Sequence, residues 1–348
     1  MKTAFPLQKG INISHWLSQV VPEETDNTAT YFTEQDVQFL KDSGFDHIRL
    51  PIDEIVMWHE DGTPNEDKFT ALMDCINWCQ DNDLRIIVDL HTVRSHHFNA
   101  VNDGTKNTLL TNPEAQAHFL QLWDQLSQRL REIPNELLAY EPLNEVVADE
   151  HEQWNQLLGK TIQQIRSVEP MRIILAGSNR WQQPGNMPHL KVPANDPNII
   201  LAFHFYSPFL VTHYQTNWNP LKDYHGSVQY PGLPYPDPLE DNAPERLQEF
   251  VGNMNEPYDK SDMLKEITPA IEKAKQTGLR LYCGEFGCYK TVPREMLLQW
   301  YADITDTLQS QNIGYAAWDY QSDFGLKPEQ DGTIDQELTN ILAGTENP

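Results

Sequence analysis

The sequence predicts an α/β protein built as a single (β/α)₈ TIM barrel. Eight short apolar runs recur along the chain, and amphipathic segments of helical length separate most of them. The runs are too apolar for strands with one face in water, which favours a parallel sheet covered by helices. Eight such units within 348 residues favour a closed barrel over an open doubly wound sheet. We therefore expect residues 1–348 to form one domain.

The strand-like runs lie, in chain order, at residues 9–15, 45–51, 84–91, 137–145, 172–178, 199–206, 279–287 and 313–320. Helical patterns lie at residues 33–42, 66–82, 113–131, 150–169, 261–277 and 293–311. Thr33 with Asp36, and Ser261 with Lys265, predict helix starts, while Gly44 and Gly278 predict helix ends. No helical pattern is visible between the fifth and sixth runs, because residues 180–197 are rich in proline and asparagine.

A long insertion follows the sixth predicted strand, at residues 207–260. It shows no clear helical or strand pattern, and loops of this length are usually functional or disordered. Its aromatic side chains favour a function; they are Tyr214, Trp218, Tyr224, Tyr230 and Tyr235.

The formal charge of −26 makes nucleic acid and anionic membrane surfaces poor partners. Polyanionic substrates would be repelled as well, so neutral or cationic ligands remain. No segment approaches the ~20 apolar residues of a membrane span. We expect a monomer that is cytoplasmic if the printed chain is complete, and secreted or periplasmic if a leader was removed.

The cysteines and histidines give little indication of a metal site. Cys75 and Cys79 are four residues apart on a predicted helix without an accompanying histidine pattern. His91, His96 and His97 are better interpreted as loop surface or ligand contacts than as a metal cluster. No Gly-rich dinucleotide fingerprint follows a strand, so we predict neither a metal nor an organic cofactor.

Polar side chains recur where the predicted strands end. The fourth run closes in "AYEPLNE" (residues 139–145), and the seventh closes in "LYCGEFG" (residues 281–287). A buried charge is costly unless it is paired, and in an α/β barrel the carboxyl ends of the strands form the active-site face. We therefore expect one pocket to gather Arg49, His91, Asn144, Glu145, His204, Tyr206, Glu285 and Trp318.

Two carboxylates across such a pocket are what cleavage of a glycosidic bond requires. Strands four and seven should lie on opposite sides of the barrel, so that Glu145 and Glu285 face each other. A separation of roughly 5 Å would make one carboxylate a nucleophile and give retention. Arg49 should keep Glu285 ionised, and the charge of Glu285 should hold a proton on Glu145.

Each of these residues also has a plain structural interpretation. The two glutamates could cap helices, Arg49 could form a salt bridge inside the barrel, and Trp318 could be core. His91 and His204 could bond backbone groups. The order of the residues along the strand ends favours catalysis, with Asn144 bonding a sugar hydroxyl and Trp318 stacking under a pyranose ring.

Several short motifs resemble those of glycoside hydrolase family five. They are "LNE" in the fourth run, "GEFG" in the seventh, "HIRLP" in the second, "VDLH" in the third and "HFY" in the sixth. The opening "KGINISHW" and the later "AAWDY" and "DFGL" resemble the family's first and eighth strands, so the resemblance covers residues 9–342.

This resemblance implies a retaining β-glycanase. Glu145 would be the acid/base and Glu285 the nucleophile, hydrogen-bonded by Tyr206. The other substrate-binding or supporting residues carried over are Arg49, His91, Asn144, His204 and Trp318. The usual Asn-Glu-Pro is here Asn144-Glu145-Val146, a departure from the typical cellulase branch.

The resemblance favours an endo-β-1,4-glucanase (a cellulase) acting on a neutral β-glycan. A mannanase or an exo-acting β-glycosidase of the same family remains an alternative. An alternative of another class is a non-catalytic carbohydrate-binding barrel, although binding alone needs no pair of glutamates with Arg49.

Overall fold

Eight parallel strands pair in chain order and close into a barrel, with β1 hydrogen-bonded to both β2 and β8. The computed structural model describes residues 3–20, 28–100, 106–327 and 332–344. The strands are β1 (Lys9–Asn12), β2 (His47–Asp53), β3 (Arg85–Thr92), β4 (Leu138–Glu141), β5 (Ile173–Gly177), β6 (Ile199–Phe205), β7 (Arg280–Phe286) and β8 (Gly314–Ala317). The predicted (β/α)₈ fold is therefore confirmed.

Long helices follow most of the strands and pack on the outside of the barrel in one hydrophobic cluster. The described helices are α1 (Thr28–Tyr31), α2 (Glu34–Ser43), α3 (Glu54–Met57), α4 (Glu66–Asp81), α5 (Pro113–Leu130), α6 (His151–Val168), α7 (Phe209–Thr212), α8 (Glu245–Met254), α9 (Lys260–Thr277), α10 (Arg294–Ser310) and α11 (Gln336–Ala343). In the part of the chain that the structure describes, no helix has both the length and the apolarity needed to cross a bilayer.

The helix signals in the sequence correspond to real caps. Thr33 and Asp36 form a reciprocal capping box at the start of α2, which satisfies two otherwise unpaired N–H groups. Gly44 and Gly278 end α2 and α9 in the left-handed region, with φ of 101° and 68°. The predicted start at Ser261 was one residue late, because the side chain of Asp259 caps α9.

The segment between β5 and β6 contains no α-helix, as the sequence indicated. A 3₁₀ helix at Pro184–His189 takes the place of the missing α-helix and packs against α9. Proline lacks a backbone N–H donor, so two prolines within six residues make a longer α-helix unfavourable. The barrel is covered at this point by a shorter element.

The insertion at residues 207–260 is more regular than the sequence suggested. It contains α7, a 3₁₀ helix at Pro220–Asp223 and the ten-residue α8. Leu247 and Val251, one helical turn apart, bury the inner face of α8 in the main core. Tyr224 and Tyr235 stack with ring centroids 3.6 Å apart. The insertion is thus packed down onto the barrel.

The side chains inside the barrel change from apolar to polar along the strands. A cluster that includes Ile87 and Ala139 fills the layer nearer the amino ends with apolar side chains. Two residues further along the same strands, Asp89 of β3 and Glu141 of β4 occupy neighbouring register positions, and both side chains are fully buried. Side chains two residues apart on a strand share a face. The barrel therefore places a polar layer directly above an apolar one.

Candidate active site

Arg49 is the centre of the polar layer. Its guanidinium is inaccessible to solvent, and all five of its N–H groups have partners. At 2.6–3.0 Å the partners are oxygens of Glu141, Asp89, Glu285, Asn12 and Asn144. One cation therefore fixes three carboxylates and two amides at once.

The prediction that Arg49 contacts substrate does not agree with this position. The second strand was expected to end at residue 51, but β2 runs to Asp53 and leaves Arg49 in its middle. The side chain consequently points into the closed interior, beneath the cleft. Arg49 positions the groups above it and has no free donor for a ligand.

The two predicted catalytic carboxylates lie close together. Oxygens of Glu145 and Glu285 and a ring nitrogen of His204 all lie within 4.8 Å of one another. Nδ1 of His204 is 2.9 Å from Oε1 of Glu145 and 3.5 Å from Oε2 of Glu285. β4 and β7 are separated by only two strands around the ring, so the carboxylates meet at one side of the pocket rather than across its full width.

Glu285 is held at both of its oxygens. Nη1 of Arg49 donates to Oε1 at 2.6 Å, and the hydroxyl of Tyr206 donates to Oε2 at 3.1 Å. The bond from Tyr206 is the one that the family resemblance implied. These two donors fix the orientation of the carboxylate within the cleft.

Glu145 lies beyond its strand, not in it. The fourth run was expected to continue to residue 145, but β4 ends at Glu141. The chain then turns, and Glu145 takes a left-handed φ of 41°. Its N–H donates to Oε1 of Gln182 at 2.8 Å, while the N–H of Asn144 donates to the carbonyl of Leu90 at 3.2 Å. Hydrogen bonds to neighbouring segments thus hold this turn.

The environment separates the proton affinities of the two carboxylates. Burial raises the pKa of Glu145 well above its ordinary value, and the negative charge of Glu285 raises it further. Burial also raises the pKa of Glu285, and the attraction to Arg49 only partly offsets this. The expected effect of Arg49 is present, but it does not bring the pKa of Glu285 below the usual range.

Burial also shifts the pKa values of the neighbouring acidic groups and histidines. Burial raises the pKa of Asp89 to about 7 and also raises that of Glu141, against the attraction of Arg49. Burial lowers the pKa of His91 to about 4 and that of His204 well below its ordinary value. The two imidazoles are therefore neutral at pH 7, because a second cation in this dry layer would be unfavourable.

A cleft of about 1200 Å³ opens above this layer. Seven of the eight predicted site residues line it: His91, Asn144, Glu145, His204, Tyr206, Glu285 and Trp318. The ring of Trp318 stacks on His91, with centroids 5.5 Å apart and planes 10° apart. Nδ2 of Asn144 is buried and has no hydrogen-bond partner among the described residues. The cleft thus offers a ligand one flat ring and one unused donor.

By distance alone, Glu145, His204 and Glu285 form the one group in the described ranges that could hold a metal ion. His91, His96 and His97 do not belong to that group. His96 instead accepts a hydrogen bond from the N–H of Val147 at 3.0 Å.

Sequence reasoning missed the groups beneath and beside the cleft. Asp89 and Glu141 stand inside otherwise apolar strands, which is the signal that could have identified them, since a buried charge needs a partner. Gln182 joins Glu141 to the turn of Glu145. Trp181 also lines the cleft, and its indole N–H donates to the carbonyl of Phe98 at 3.0 Å. Nothing in their local sequence distinguishes these last side chains.

The arrangement can donate a proton and attack a carbon at the same place. One carboxyl has a strongly raised pKa, and the other is fixed by a cation and a phenol within the same cleft. A facing pair of this kind at the carboxyl end of a barrel is typical of enzymes that hydrolyse glycosidic bonds.

Comparison with known proteins agrees with this class. The family model described as Cellulase (glycosyl hydrolase family 5) matches residues 9–324. Endoglucanase C of Acetivibrio thermocellus is 32% identical over 348 residues, which cover 96% of this chain and 97% of that protein. Cellodextrinase A of Ruminococcus flavefaciens is 29% identical over 88% of this chain and 83% of its own length. The chain belongs to glycosyl hydrolase family 5, and it is a glycoside hydrolase.

Solved structures show the same fold. Thermotoga maritima Cel5A in complex with cellobiose superposes with a TM-score of 0.75 at 24% identity, covering 97% of both chains. The cellulose synthase subunit Z of Clostridioides difficile gives 0.76 at 21% identity, covering 97% of this chain and 99% of its own. The family model and the 32% identity to Endoglucanase C confirm the resemblance to family five that the sequence motifs indicated.

Proposed function

We propose that the protein is an endo-β-1,4-glucanase that cleaves neutral β-glucan with retention of the anomeric configuration. The observation that carries the mechanism is the separation of at most 4.8 Å between oxygens of Glu145 and Glu285. Retaining enzymes hold their carboxyl groups about 5–5.5 Å apart, whereas inverting enzymes leave about 6.5–9.5 Å for a water molecule. The relatives named endoglucanase support the substrate and the endo mode.

In the first step, Glu285 attacks the anomeric carbon while Glu145 protonates the leaving oxygen. The raised pKa of Glu145 keeps its proton in place near neutral pH. Arg49 binds Oε1 of Glu285, so Oε2, which faces Tyr206 and His204, is the oxygen that forms the bond to the sugar. The products are a glycosyl ester on Glu285 and a free sugar hydroxyl.

In the second step, water hydrolyses the glycosyl ester. Esterification removes the negative charge of Glu285, and that charge is one of the causes of the raised pKa of Glu145. The pKa of Glu145 therefore falls, and its carboxylate accepts a proton from the attacking water. The same side chain serves as acid and then as base, without a metal or an organic cofactor.

Two residues are proposed to orient the sugar. The unused Nδ2 donor of Asn144 is placed to bond a hydroxyl next to the anomeric carbon. Trp318 offers its face to a pyranose ring, because stacking on His91 fixes the plane of the indole. His91 and His204 act as neutral hydrogen-bonding groups. We also propose that residues 1–348 form one catalytic domain and that the enzyme works as a monomer.

The test is a product assay with the parent and a Glu285→Gln variant. The substrates are barley β-glucan, carboxymethylcellulose, mannan, xylan and short β-1,4 oligosaccharides. We expect cleavage of the β-1,4-glucans, and at least about a thousandfold slower cleavage by the variant, which is a loss of roughly 4 kcal/mol of barrier lowering. Glu272→Gln makes the same change at an exposed site on α9 and should leave the rate unchanged.

Two further readings of the same assay test the mechanism and the mode of action. Proton NMR of the first product formed should show the β anomer; the α anomer would contradict retention. A mixture of product lengths from the polymer supports endo action. The relative named cellodextrinase favours a second candidate, action on short oligosaccharides, which would cleave cellotetraose but leave the viscosity of the polymer unchanged.

A further inference from the structure

The loop that follows β5 contacts the turn that contains Glu145. We call residues 178–183 the β5 loop. Three consecutive residues of this loop lie in the left-handed region although each has a β-carbon: Arg180, Trp181 and Gln182, with φ of 61°, 57° and 50°. Backbone of this kind is unfavourable and persists only where the surrounding structure holds it, often at functional sites. The contacts of the β5 loop should therefore show what holds it in this conformation.

Hydrogen bonds join the β5 loop to the turn of the proposed acid/base. The N–H groups of Arg180 and Trp181 both donate to the carbonyl of Val146, at 2.7 and 3.3 Å. The side chain of Asn179 accepts from the N–H of Ala148 at 2.8 Å and donates to its carbonyl at 3.0 Å. The turn is therefore attached to the β5 loop at Val146 and Ala148, directly after the residue that carries the carboxyl group.

Gln182 extends this attachment into the polar layer. Its side chain is buried; Oε1 accepts from the N–H of Glu145 at 2.8 Å, and Nε2 donates to Oε1 of Glu141 at 3.1 Å. Glu141 is held in turn by Nε of Arg49 at 2.7 Å. A backbone N–H can only donate and a carboxylate can only accept, so these two partners require a side chain that does both. The carboxamide of glutamine meets this requirement.

The end of β5 leaves room for this side chain. Gly177 is the last residue of the strand, and a β-carbon there would lie 2.4 Å from Cδ of Gln182. Any larger residue at this position would therefore displace the amide. The main chain of Gln182 is fixed as well, because its carbonyl accepts from the N–H of His204 at 3.0 Å. The amide is thus held in place before any substrate binds.

We propose that Gln182 is a positioning residue that fixes the acid/base Glu145 relative to the nucleophile Glu285. One guanidinium then aligns both carboxyl groups. Arg49 holds the nucleophile directly, and it holds the acid/base indirectly, because it binds Glu141, to which Gln182 donates. A displacement of about 1 Å can lower a rate about a hundredfold, so this link determines how well the proton reaches the leaving oxygen. The inference rests on the proposed function, because it takes the role of Glu145 as given.

The test compares a leaving group that needs a proton with one that does not. The kcat/KM is measured for cellohexaose, whose sugar leaving group must be protonated, and for 2,4-dinitrophenyl β-cellobioside, whose phenolate leaves without a proton. Gln182→Met removes both hydrogen bonds at similar side-chain length. We expect its kcat/KM to fall at least about tenfold on cellohexaose and less than about threefold on the aryl cellobioside. Gly177→Ala keeps every polar group but displaces the amide, and should change the ratio in the same direction.

Gln125→Met is the matched control. Gln125 of α5 is partly buried and accepts a hydrogen bond from the indole N–H of Trp58 at 2.7 Å, and neither residue lines the cleft. This variant should lower the Tm and leave the ratio of the two kcat/KM values at that of the parent. If Gln182→Met instead loses activity equally on both substrates, together with a lower Tm, its role is only structural and the inference is wrong.

The outcomes separate this inference from the proposed function. If the parent cleaves β-glucan but Gln182→Met keeps its ratio, Gln182 does not position Glu145. If the parent cleaves neither substrate, the proposed function fails, and amide hydrogen exchange then decides on the positioning. Mass spectrometry of the peptide that contains Glu145 should show its amide exchanging at least about tenfold faster in Gln182→Met than in the parent or in Gln125→Met. Equal exchange in the three proteins would overturn the inference.

Discussion

Among the described residues, two arginines are buried completely, and their surroundings differ in charge. Arg49 lies in the polar layer and contacts three carboxylates, those of Glu141, Asp89 and Glu285. Arg172 lies near the start of β5 and contacts one carboxylate, Glu169, at 2.7 Å. The other donors of Arg172 go to backbone carbonyls, including those of Leu130 at the end of α5 and Ile133 just after it.

The difference in charge balance separates a structural site from a chemical one. Around Arg172 one positive charge meets one negative charge, and helix-end carbonyls receive the remaining donors. Around Arg49 the carboxylates outnumber the cation, so burial and mutual repulsion raise the pKa values of Asp89, Glu141 and Glu145. An excess of carboxyl groups in a buried layer favours their protonated forms, and the proposed acid catalyst needs a proton to donate.

We expect the largest effect on stability from a substitution at Arg172, the structural arginine. Arg172→Met leaves Glu169 and several carbonyls buried without a donor, and we expect the free energy of unfolding to fall by about 3–5 kcal/mol. Chemical denaturation measures this change. The kcat per folded molecule should stay near that of the parent. Arg131→Met, at an exposed position, is the control; a loss below about 1 kcal/mol in Arg172→Met would contradict the structural role.

At the other buried arginine, the substitution Arg49→Lys should mainly lower the rate of catalysis. Lysine keeps the charge but cannot reach five oxygens, so Glu285 loses its fixed orientation. We expect kcat to fall about a hundredfold, or roughly 2.7 kcal/mol. The acidic limb of the pH profile should also move to higher pH, because the attraction that lowers the pKa of Glu285 weakens. An unchanged acidic limb would show that Arg49 does not act on Glu285.

The substitution Asp89→Asn removes one of the negative charges around Arg49. The Oδ1 atom of Asp89 has no partner among the described residues, so an amide nitrogen fits there without losing the bond to Arg49. In the parent, kcat/KM should fall at low pH as Glu285 is protonated and at high pH as Glu145 loses its proton. Because the charge of Asp89 raises the pKa of Glu145, the basic limb of the variant should move to lower pH. A basic limb at unchanged pH would show that the charge of Asp89 does not raise the pKa of Glu145.

His213 provides a third case, in which burial acts without a charged partner and lowers the pKa to about 3. A lowered pKa means that the folded state disfavours the charged imidazole. Above about pH 6.5 the imidazole is neutral in both the folded and the unfolded state, so the free energy of unfolding has its full value. As the pH falls toward 3, the unfolded state binds a proton that the folded state does not, and the free energy of unfolding decreases. His213→Phe should reduce the loss of stability between pH 7 and pH 5.5 by about 1 kcal/mol. Thermal denaturation at both pH values measures it, and His225→Phe, at an exposed position, should change nothing.

The barrel and the two neighbouring glutamates of the cleft could be predicted from the sequence because they depend on local patterns. Short apolar runs that alternate with helices specify the architecture. Glu145 and Glu285 stand out because charged residues rarely follow apolar strands directly. The helix stops at Gly44 and Gly278 were equally visible, since a left-handed residue after a helix is usually glycine.

The remainder depends on contacts between distant segments. The role of Arg49 could not be read from "HIRLP", because that role depends on where β2 ends and on two carboxylates from β3 and β4. The helix α8 was missed because it spans only ten residues and contains Gly252, which disfavours a helix. The aromatic cluster of the insertion combines rings from residues 209–250 that become neighbours only after the insertion packs down.

The left-handed backbone at Glu145 has a consequence for the evolution of stability. A residue with a β-carbon in this region costs on the order of 1–3 kcal/mol, and glycine would avoid that cost. The substitution that best relaxes this turn would also remove the proposed proton donor. Selection for a more stable protein and selection for an active enzyme therefore oppose each other at this one position, and a thermally hardened descendant must gain its stability elsewhere in the chain.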